Sequence, residues 1–313
     1  MSHATVVVSG TKIADEIGVS RSEVWRLIQQ LRELGVSIAG HPATGYRLQA
    51  IPDLLLPDIL SPLLQGTIFD NQIHHYYKIG STNTVAMEAG SAGAPEGSVF
   101  LAERQIAGRG RGAHNWHSAQ SAGIYCSAVL RPALPPSEAL TLSLAAGLAV
   151  HAAIKAIDPD VGLDLKWPND LLIHGKKIAG ILTEMNSEAT RVRYVVVGIG
   201  INVNQASFPS ELQRTATSLR LATGTEWSRV ELCAALLKSL NREYRDLLEK
   251  SGAHDAILRR FQEQSSSVRG CQVQVEENGG FEGVTDGLDQ CGFLQVRTAH
   301  GVRTVLSGTV RPK

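Results

Sequence analysis

The 313-residue chain lacks the features that mark several protein classes. Its four cysteines are scattered and form no C-x-x-C pair, which argues against a disulfide framework or a zinc site and favours a reducing compartment. It has no uninterrupted run of about 18 apolar residues, the length needed to span a membrane. Its N-terminus also lacks the basic-then-apolar pattern of a signal peptide. We therefore expect a soluble, cytoplasmic protein with no membrane partner.

The chain also has no excess of either charge, because 30 Lys and Arg balance 30 Asp and Glu. No global field attracts nucleic acid or an anionic surface, so such a partner would have to meet a local patch. Aromatic residues make up only 5%, but the 43% hydrophobic and 19% charged contents are those of an ordinary globular protein. The length allows two or three domains, each with its own core.

The first fifty residues carry the pattern of a winged helix-turn-helix. Residues 5–8 read as a short strand and residues 12–17 as a short helix that ends at Gly18. The S-R-S-E sequence at 20–23 is a capping box, in which the Ser20 hydroxyl and the Glu23 carboxylate bond each other's backbone amides. Residues 36–38 and 46–48 form a hairpin, the wing. The helix after the capping box has apolar residues at helical spacing, namely Val24, Leu27, Ile28, Leu31 and Leu34.

The opposite face of this second helix carries side chains suited to phosphates and base edges. The candidate DNA-binding residues are Ser20, Arg21, Ser22, Trp25, Arg26 and Gln29. Residues 1–62 hold only five Lys and Arg against six Asp and Glu, so a solvated face of a small docking module stays open as the alternative. The helix that usually precedes such a pair has no counterpart, so we expect a truncated start or a minimal module.

After a proline-containing linker, strand-like and helical segments alternate and predict a mixed sheet covered by helices, in an α+β chain. We expect three parts: residues 1–62 with the linker, a catalytic domain at 63–267 and a C-terminal β-rich domain at 268–313. The predicted strands are 73–77, 98–103, 123–130, 163–167, 171–173, 178–184 and 194–199, and the predicted helices are 137–157 and 230–249.

Three polar segments interrupt these apolar runs: G-R-G-R-G-A-H-N-W at 108–116, K-W-P-N-D at 166–170, and the lysine pair that opens K-K-I-A-G-I-L-T-E at 176–184. Each has a bland alternative: a flexible linker or RNA-binding tail, a turn, and a surface lysine pair. The G-I-G at 198–200 lacks the third glycine of a dinucleotide loop and continues as strand, and no G-x-x-x-x-G-K-[ST] phosphate loop is present.

Together with S-T-N at 81–83 and G-I-G-I-N at 198–202, these segments occur in the order found in biotin protein ligases, which the chain resembles over nearly its whole length. With the N-terminal module, it resembles the bifunctional ligases that also repress the biotin operon. The resemblance implies a class II synthetase-like catalytic domain and a small SH3-like C-terminal β-barrel. Lipoate ligases share the catalytic fold but lack the arginine loop.

The resemblance implies a biotin–[biotin carboxyl-carrier protein] ligase. Biotin and ATP, with Mg²⁺, would form biotinyl-5′-AMP, and the biotinyl group would pass to a lysine of the carrier domain of acetyl-CoA carboxylase. The implied regulatory partners are operator DNA of biotin genes and a second copy of the chain, as a homodimer loaded with the adenylate. Two alternatives stay open: a ligase with a vestigial DNA module, and a transcription factor that only senses biotin.

Residue roles follow by position. Arg111 and Lys177 would be catalytic, because both reactants are anions that need cations between them. Glycines 108, 110 and 112 would let the loop adopt positive φ and close over the adenylate. Where the family has a glycine followed by Arg or Lys, this chain has Ala113-His114. The loop therefore loses a glycine hinge, and a permanent cation is replaced by an imidazole, which is mostly neutral at pH 7. Biotin would meet Ser81, Thr82, Asn83, Gln105, Arg109, Gly110, Arg111 and Lys177. The nucleotide would meet Arg111, Trp116, Asn169, Asp170, Asn202 and Arg311, with Asp170 the candidate Mg²⁺ ligand.

Overall fold

A computed structural model describes residues 7–33, 36–41, 44–49, 53–112, 114–276, 280–306 and 309–312. The chain forms two compact units, Met1–Leu54 and Leu55–Lys313. The division falls at Leu54 rather than at residue 62, because the second half of the expected linker contributes to the core of the second unit. Leu55, Leu60 and Leu64 are fully buried there, and helix α3 (Pro57–Leu60) lies within this stretch.

The first unit is the predicted winged helix-turn-helix. Helices α1 (Gly10–Ile17) and α2 (Arg21–Glu33) are followed by the antiparallel hairpin β1 (Ile38–His41) and β2 (Gly45–Leu48). Gly18 ends α1 in the left-handed conformation, as expected. The small core of this unit consists of Ala14, Val24 and Ile28, packed against Ile13, Val19, Ile38 and Tyr46.

Three details of this unit differ from the sequence expectation or fall outside the described residues. Of the strand expected at 5–8, the structure describes only Val7 and Val8, and Val8 forms a single bridge to Tyr46. The Ser20 hydroxyl caps α2 by accepting the Glu23 amide at 3.2 Å, but the Glu23 carboxylate bonds Arg26 instead of reaching back. Leu34, the last apolar residue expected on the second helix, lies outside the described residues.

The second unit contains the predicted mixed sheet, which has seven strands in the order β3-β4-β5-β9-β8-β7-β6. Strands β3 and β4 are parallel and the other neighbours are antiparallel. The long β8–β9 ladder pairs the two motif-bearing strands over most of their length. The strands are β3 (Ile73–Tyr76), β4 (Val99–Ala102), β5 (Gly123–Leu130), β6 (Asp164–Lys166), β7 (Asp170–Ile173), β8 (Lys176–Ser187) and β9 (Val192–Asn202).

Helix α5 forms the centre of the core. Its sequence is apolar almost all round, which predicts a buried helix, and twelve of its residues are buried. The stretch Pro136–Ile157 is long and apolar enough to cross a membrane, with mean hydropathy 1.7, but 67% of its most apolar window is buried inside the protein. The helices of this unit are α3, α4 (Thr82–Ser91), α5 (Ala139–Ile157), α6 (Leu219–Thr223), α7 (Arg229–Glu249) and α8 (Ala253–Glu263).

The C-terminal segment forms the expected β-rich part, a five-stranded antiparallel sheet in the order β13-β12-β11-β10-β14. It is tied to the K-W-P-N-D segment, because the buried indole N–H of Trp167 donates to the carbonyl of Gly292 at 2.9 Å. The strands are β10 (Arg269–Glu276), β11 (Phe281–Leu288), β12 (Leu294–Thr298), β13 (Gly301–Val305) and β14 (Thr309–Pro312).

Candidate active site

A cavity of about 420 Å³ lies between the first turn of α4, strands β8 and β9, and the loop that carries the arginines. Its lining includes every residue that the resemblance assigns to biotin, although these residues come from four separate parts of the chain. They are Ser81, Thr82, Asn83, Gln105, Arg109, Gly110, Arg111 and Lys177. We call this space the first cavity.

Hydrogen bonds fix the orientation of the polar groups at one end of the first cavity. Gln105 Oε1 accepts the Thr82 amide at 2.8 Å and the Thr82 hydroxyl at 3.1 Å, while Gln105 Nε2 donates to Ser118 Oγ at 3.1 Å. The fully buried Ser127 hydroxyl lies 2.6 Å from Asn83 Oδ1 and 2.8 Å from Thr82 Oγ1. These preset donors and acceptors suit a small polar ligand that both donates and accepts hydrogen bonds.

Glycines on β8 and β9 leave room for the neighbouring side chains. Gly180 pairs directly with Gly200 across the ladder. A Cβ on Gly198 would lie 1.9 Å from Asn83 Oδ1, and one on Gly200 would lie 2.5 Å from the indole of Trp116. Because real Cβ contacts are never so short, only glycine allows these side chains to approach the sheet so closely.

The arginine loop forms a tight hairpin. The Gly110 amide donates to the His114 carbonyl and the Trp116 amide to the Gly108 carbonyl, both at 2.8 Å. Of the three glycines expected to have positive φ, only Gly112 does, at 63°. The Gly110 N–H is also engaged within the hairpin rather than aimed at a ligand. The expectation of three left-handed glycines is therefore wrong.

One carboxylate links this loop to the sheet and to α4. Glu184 accepts two hydrogen bonds from the Arg109 guanidinium, at 3.0 and 2.8 Å, one on each oxygen. Its Oε2 also accepts Asn83 Nδ2 at 3.0 Å. Arg109 and Asn83 both line the first cavity, whereas Glu184 stands behind them.

A second, larger cavity of about 1230 Å³ adjoins the first. Its wall includes the whole K-W-P-N-D segment at 166–170 and the tip of the arginine loop with His114. The two cavities share Gly110, Arg111, Trp116, Asn169 and Lys177. Ligands in the two cavities would therefore meet beside the two shared cations, Arg111 and Lys177.

Lys177 has two close neighbours at this junction. Its Nζ lies 2.6 Å from Asp170 Oδ1 and 5.5 Å from the centre of the Trp116 ring. The Trp116 Nε1 is buried and has no hydrogen-bond partner among the described residues. A lysine that faces both a carboxylate and an aromatic ring is held with its charge directed into the junction.

The donor set around the second cavity fits a magnesium ion that arrives with a nucleotide. Among the residues the structure describes, no group of three His, Cys, Asp or Glu side chains could hold a metal unaided. Mg²⁺ commonly uses one or two carboxylates, with waters and substrate phosphates completing its shell. Asp170 lines this cavity and supplies one such carboxylate.

Two of the expected nucleotide residues are not brought to either cavity. Asn202 is buried, donates to the Thr217 carbonyl at 3.1 Å and accepts from Gln205 Nε2 at 3.2 Å. Arg311 is exposed and lies 3.3 Å from Glu276, although its neighbour Val310 does line the second cavity. For Asn202 and Arg311, the assignment to the nucleotide has no support from the geometry.

The structure adds site residues that sequence reasoning missed. Cys126 lines the first cavity, and burial raises the pKa of its thiol to about 12, so it meets a ligand as a neutral group. Ser127 and Glu184 organise the cavity from behind. A readable signal existed for the glycine-lined wall, because Gly180, Gly198 and Gly200 interrupt buried strands and such glycines often mark close approach of a ligand.

A buried ion pair supports both ends of the arginine loop. Glu103, which directly follows β4 and precedes the loop, lies 2.8 Å from Arg229 Nη1, and the same nitrogen donates to the Gly123 carbonyl after the loop. Glu103 also accepts the Leu55 amide and bonds His75. Burial by itself would raise the pKa of Glu103, but His75, the charge of Arg229 and the Leu55 amide together lower it.

In the first unit, the candidate DNA-binding face of α2 is open to solvent. Arg21 and Ser22 are exposed, and Trp25 is 58% exposed although it is a large apolar side chain. Arg26 is exposed but bonded to Glu23, and Gln29 is half-buried. The Ser20 hydroxyl caps the helix and lies 2.8 Å from Ser22 Oγ.

Comparison with known proteins agrees with both units. The model of the biotin/lipoate A/B protein ligase family matches residues 76–202, and a helix-turn-helix domain model matches residues 2–47. Over 306 residues the chain is 37% identical to the bifunctional ligase/repressor BirA of Bacillus spizizenii, with 97% of this chain and 93% of that protein covered. The chain belongs to the biotin protein ligase family. It is a ligase of the kind that carries a helix-turn-helix domain, which confirms the resemblance seen in its sequence.

Two other proteins are similar to this chain over about three quarters of its length. The biotin–[acetyl-CoA-carboxylase] ligase of Mycobacterium tuberculosis is 35% identical over 72% of this chain and 83% of its own length. The biotin protein ligase of Aquifex aeolicus, solved in complex with biotin and ATP, is similar in structure with a TM-score of 0.66. It is 30% identical and covers 77% of this chain and 99% of its own. The catalytic fold is thus that of a biotin protein ligase, as expected.

Proposed function

We propose that this protein activates biotin with ATP to biotinyl-5′-AMP and transfers the biotinyl group to a lysine of the carrier domain of acetyl-CoA carboxylase. The observation that carries the proposal is the junction of the two cavities at Arg111 and Lys177. The first cavity, with its preset amides and hydroxyls, suits the ring urea of biotin, which donates two hydrogen bonds and accepts others. The second cavity has the volume and the cationic junction that a nucleotide needs.

In the first step, an oxygen of the biotin carboxylate attacks the α-phosphorus of ATP. An O–P bond forms, the bond from the α-phosphorus to the bridging oxygen breaks, and pyrophosphate leaves. Both reactants are anions, so Lys177 and Arg111 stabilise the charge that accumulates where the two cavities join. Mg²⁺ would neutralise the triphosphate, with Asp170 as the protein side chain that would hold it. The lysine needs no proton transfer for this role.

In the second step, the uncharged amine of the carrier lysine attacks the acyl carbon. A C–N bond forms, the C–O bond to AMP breaks, and the nitrogen gives its surplus proton to solvent. An acyl-adenylate hydrolyses readily, so the site has to exclude water between the steps. The arginine-loop hairpin and the Trp116 ring, which lies over Gly180 and Gly200, cover the junction for this purpose.

The direct test is mass spectrometry of an isolated carrier domain incubated with the protein, biotin, ATP and Mg²⁺. We expect the carrier to gain the mass of one biotinyl group. Omitting ATP, or replacing the acceptor lysine by arginine, should abolish the gain. A carrier domain that stays unmodified with wild-type protein and all substrates would contradict the proposal.

We propose in addition that the first unit represses transcription from biotin genes. The supporting observation is the solvent-exposed Arg21, Ser22 and Trp25 on α2 of a winged helix-turn-helix. One near-neutral module supplies few phosphate contacts, so we expect a homodimer on a palindromic operator, formed when biotinyl-AMP is bound. Gel-shift assays with DNA from upstream of biotin genes should show binding only with biotin and ATP present. No shift at micromolar protein would favour a ligase that carries a disused module.

A further inference from the structure

Glu184 bridges a residue of the arginine loop and a residue of α4. Both oxygens of its carboxylate accept from Arg109, at 3.0 and 2.8 Å, and Oε2 also accepts from Asn83 at 3.0 Å. The three groups come from the loop, from β8 and from the first turn of α4. Arg109 and Asn83 line the first cavity, but Glu184 does not, so it acts on a ligand only through them.

The Glu184 carboxylate fixes the orientation of the Asn83 side-chain amide. Asn83 Nδ2 donates to Glu184 and to the Leu182 carbonyl, which leaves Oδ1 to accept from Ser127 at 2.6 Å. A flipped amide would place an acceptor against the Glu184 carboxylate, which electrostatic repulsion opposes. The amide oxygen also lies directly against the sheet, since a Cβ at Gly198 would be only 1.9 Å from it.

For Arg109, the carboxylate fixes a side chain that would otherwise be mobile. The Arg109 side chain is 47% exposed, and a two-point carboxylate–guanidinium pair sets its plane as well as its position. The pair also connects the loop hairpin to β8, 75 positions further along the chain. Since Glu184 balances the Arg109 charge, attraction of the anionic reactants falls mainly on the cations at the cavity junction.

We infer that Glu184 is a positioning residue for biotin, which holds Arg109 and Asn83 in the geometry in which they meet the ligand. The inference rests on the proposed function, since it takes biotin as the ligand of the first cavity. It assigns Glu184 to the binding of biotin. In the proposed reaction, the biotin carboxylate meets ATP at Lys177 and Arg111, and Glu184 takes no part in that step.

The test compares Glu184→Gln with Glu188→Gln. Glu188 is the matched control because it also accepts two hydrogen bonds from one guanidinium, that of Arg193, at 2.9 and 2.7 Å, but it lines neither cavity. Calorimetry with biotin alone gives Kd, and pyrophosphate release gives KM and kcat. In metal sites, removing a partner that orients a ligating side chain commonly costs about tenfold or more, and on the same ground we expect Glu184→Gln to raise Kd and KM about tenfold. The kcat should stay within about threefold, and Glu188→Gln should change nothing by more than about twofold.

A double-mutant cycle tests whether the effect passes through Arg109. Arg109→Gln alone should weaken biotin binding, and Glu184→Gln added to it should then cost clearly less than in the wild-type background, because coupled residues are not additive. Thermal unfolding of each variant checks that the fold survives, and Glu184→Asp, which keeps the charge but shortens the side chain that reaches Arg109 and Asn83, takes its place if Glu184→Gln does not fold.

Three outcomes would overturn the inference. Glu184→Gln could match Glu188→Gln, it could lower kcat while Kd stays unchanged, or its effect could add fully to that of Arg109→Gln. A wild-type protein that binds no biotin would instead contradict the proposed function, which separates failure of that proposal from failure of this one.

Discussion

The ammonium of Lys177 lies 2.6 Å from Oδ1 of Asp170, where the two cavities meet. Lys177 stands near the start of β8 and Asp170 begins β7, so the β7–β8 hairpin brings together two residues of separate motifs. The two opposite charges compensate each other at the junction. In the proposed reaction, Lys177 would stabilise the reacting phosphate and Asp170 would hold the Mg²⁺.

Replacing this lysine should stop adenylate formation. Lys177→Met keeps the length of the side chain but removes its charge, and loss of such an electrostatic contact commonly costs about 3 kcal/mol, or a hundredfold or more in rate. Lys176→Met is the matched control, because the neighbouring Lys176 donates to the Gln213 carbonyl and lines neither cavity. Biotin-dependent pyrophosphate release at near wild-type rate in Lys177→Met would refute the assignment.

A methyl group at Gly198 should prevent biotin from binding in the first cavity. In Gly198→Ala the new Cβ would lie 1.9 Å from Asn83 Oδ1, so Asn83 has to leave its position. We expect loss of measurable biotin binding by calorimetry. Gly162→Ala is the control, since no atom lies within 4 Å of its Cβ and its φ is not positive. Equal biotin affinity in the two variants would show that Asn83 takes no part in binding.

Much of the fold was readable from the sequence because its elements follow hydrophobic pattern. The apolar run at 123–130 is strand β5 with the same bounds, and the helix expected at 230–249 is α7 at Arg229–Glu249. Helix α4 was not readable in this way. Its sequence T-N-T-V-A-M-E-A-G-S has little amphipathic pattern, and contacts with β5 and β9 rather than local propensity hold it in place.

The site was readable only as far as its motifs reach. The family motifs predict which arginine, lysine and asparagine residues line the site, but they do not predict which side chains bond each other. The Arg109–Glu184 pair joins positions 75 residues apart, and no local pattern announces it. The same limit explains Asn202, where the G-I-G-I-N motif points to the nucleotide while the folded chain turns that side chain toward Thr217.

Asn202 should therefore matter more for stability than for ATP. Asn202→Ala leaves the Thr217 carbonyl and the Gln205 amide without this partner inside the protein. Leaving buried polar groups unsatisfied costs about 1–3 kcal/mol, which urea unfolding would measure. We expect KM for ATP to stay within about threefold, as for a change that removes no ligand contact. A large rise in KM with unchanged stability would restore the nucleotide assignment.

The Glu103–Arg229 pair should make stability depend on acid pH. The pKa of Glu103 is lowered from 4.5 in the folded protein, so its contribution is complete above that value and is lost as pH falls through the lowered pKa. In the double variant Glu103→Gln with Arg229→Met, no buried charge is left unpaired. Its unfolding free energy should fall less steeply below pH 4.5 than that of the wild type. Identical acid slopes in denaturant titrations would contradict this assignment.

On the candidate DNA-binding face of α2, Arg21 and Arg26 should contribute unequally to operator binding. Arg26 already bonds Glu23 within α2, whereas Arg21 is exposed at the start of the same helix. Arg21→Ala should weaken operator binding across all sequences and lower the salt slope by about 1, as loss of one phosphate contact does. Arg26→Ala should cost less, because Arg26 must first leave its carboxylate.

The decisive variant on this face is Glu23→Gln. It removes a negative charge from α2 and releases Arg26, while the Glu23 backbone amide still donates its capping hydrogen bond to the Ser20 hydroxyl. We expect tighter operator binding by the adenylate-loaded protein and a salt dependence steeper by about one phosphate contact. Fluorescence anisotropy at several salt concentrations measures both quantities. Weaker binding in Glu23→Gln would contradict this prediction, because the carboxylate would then orient Arg26 for DNA rather than withhold it.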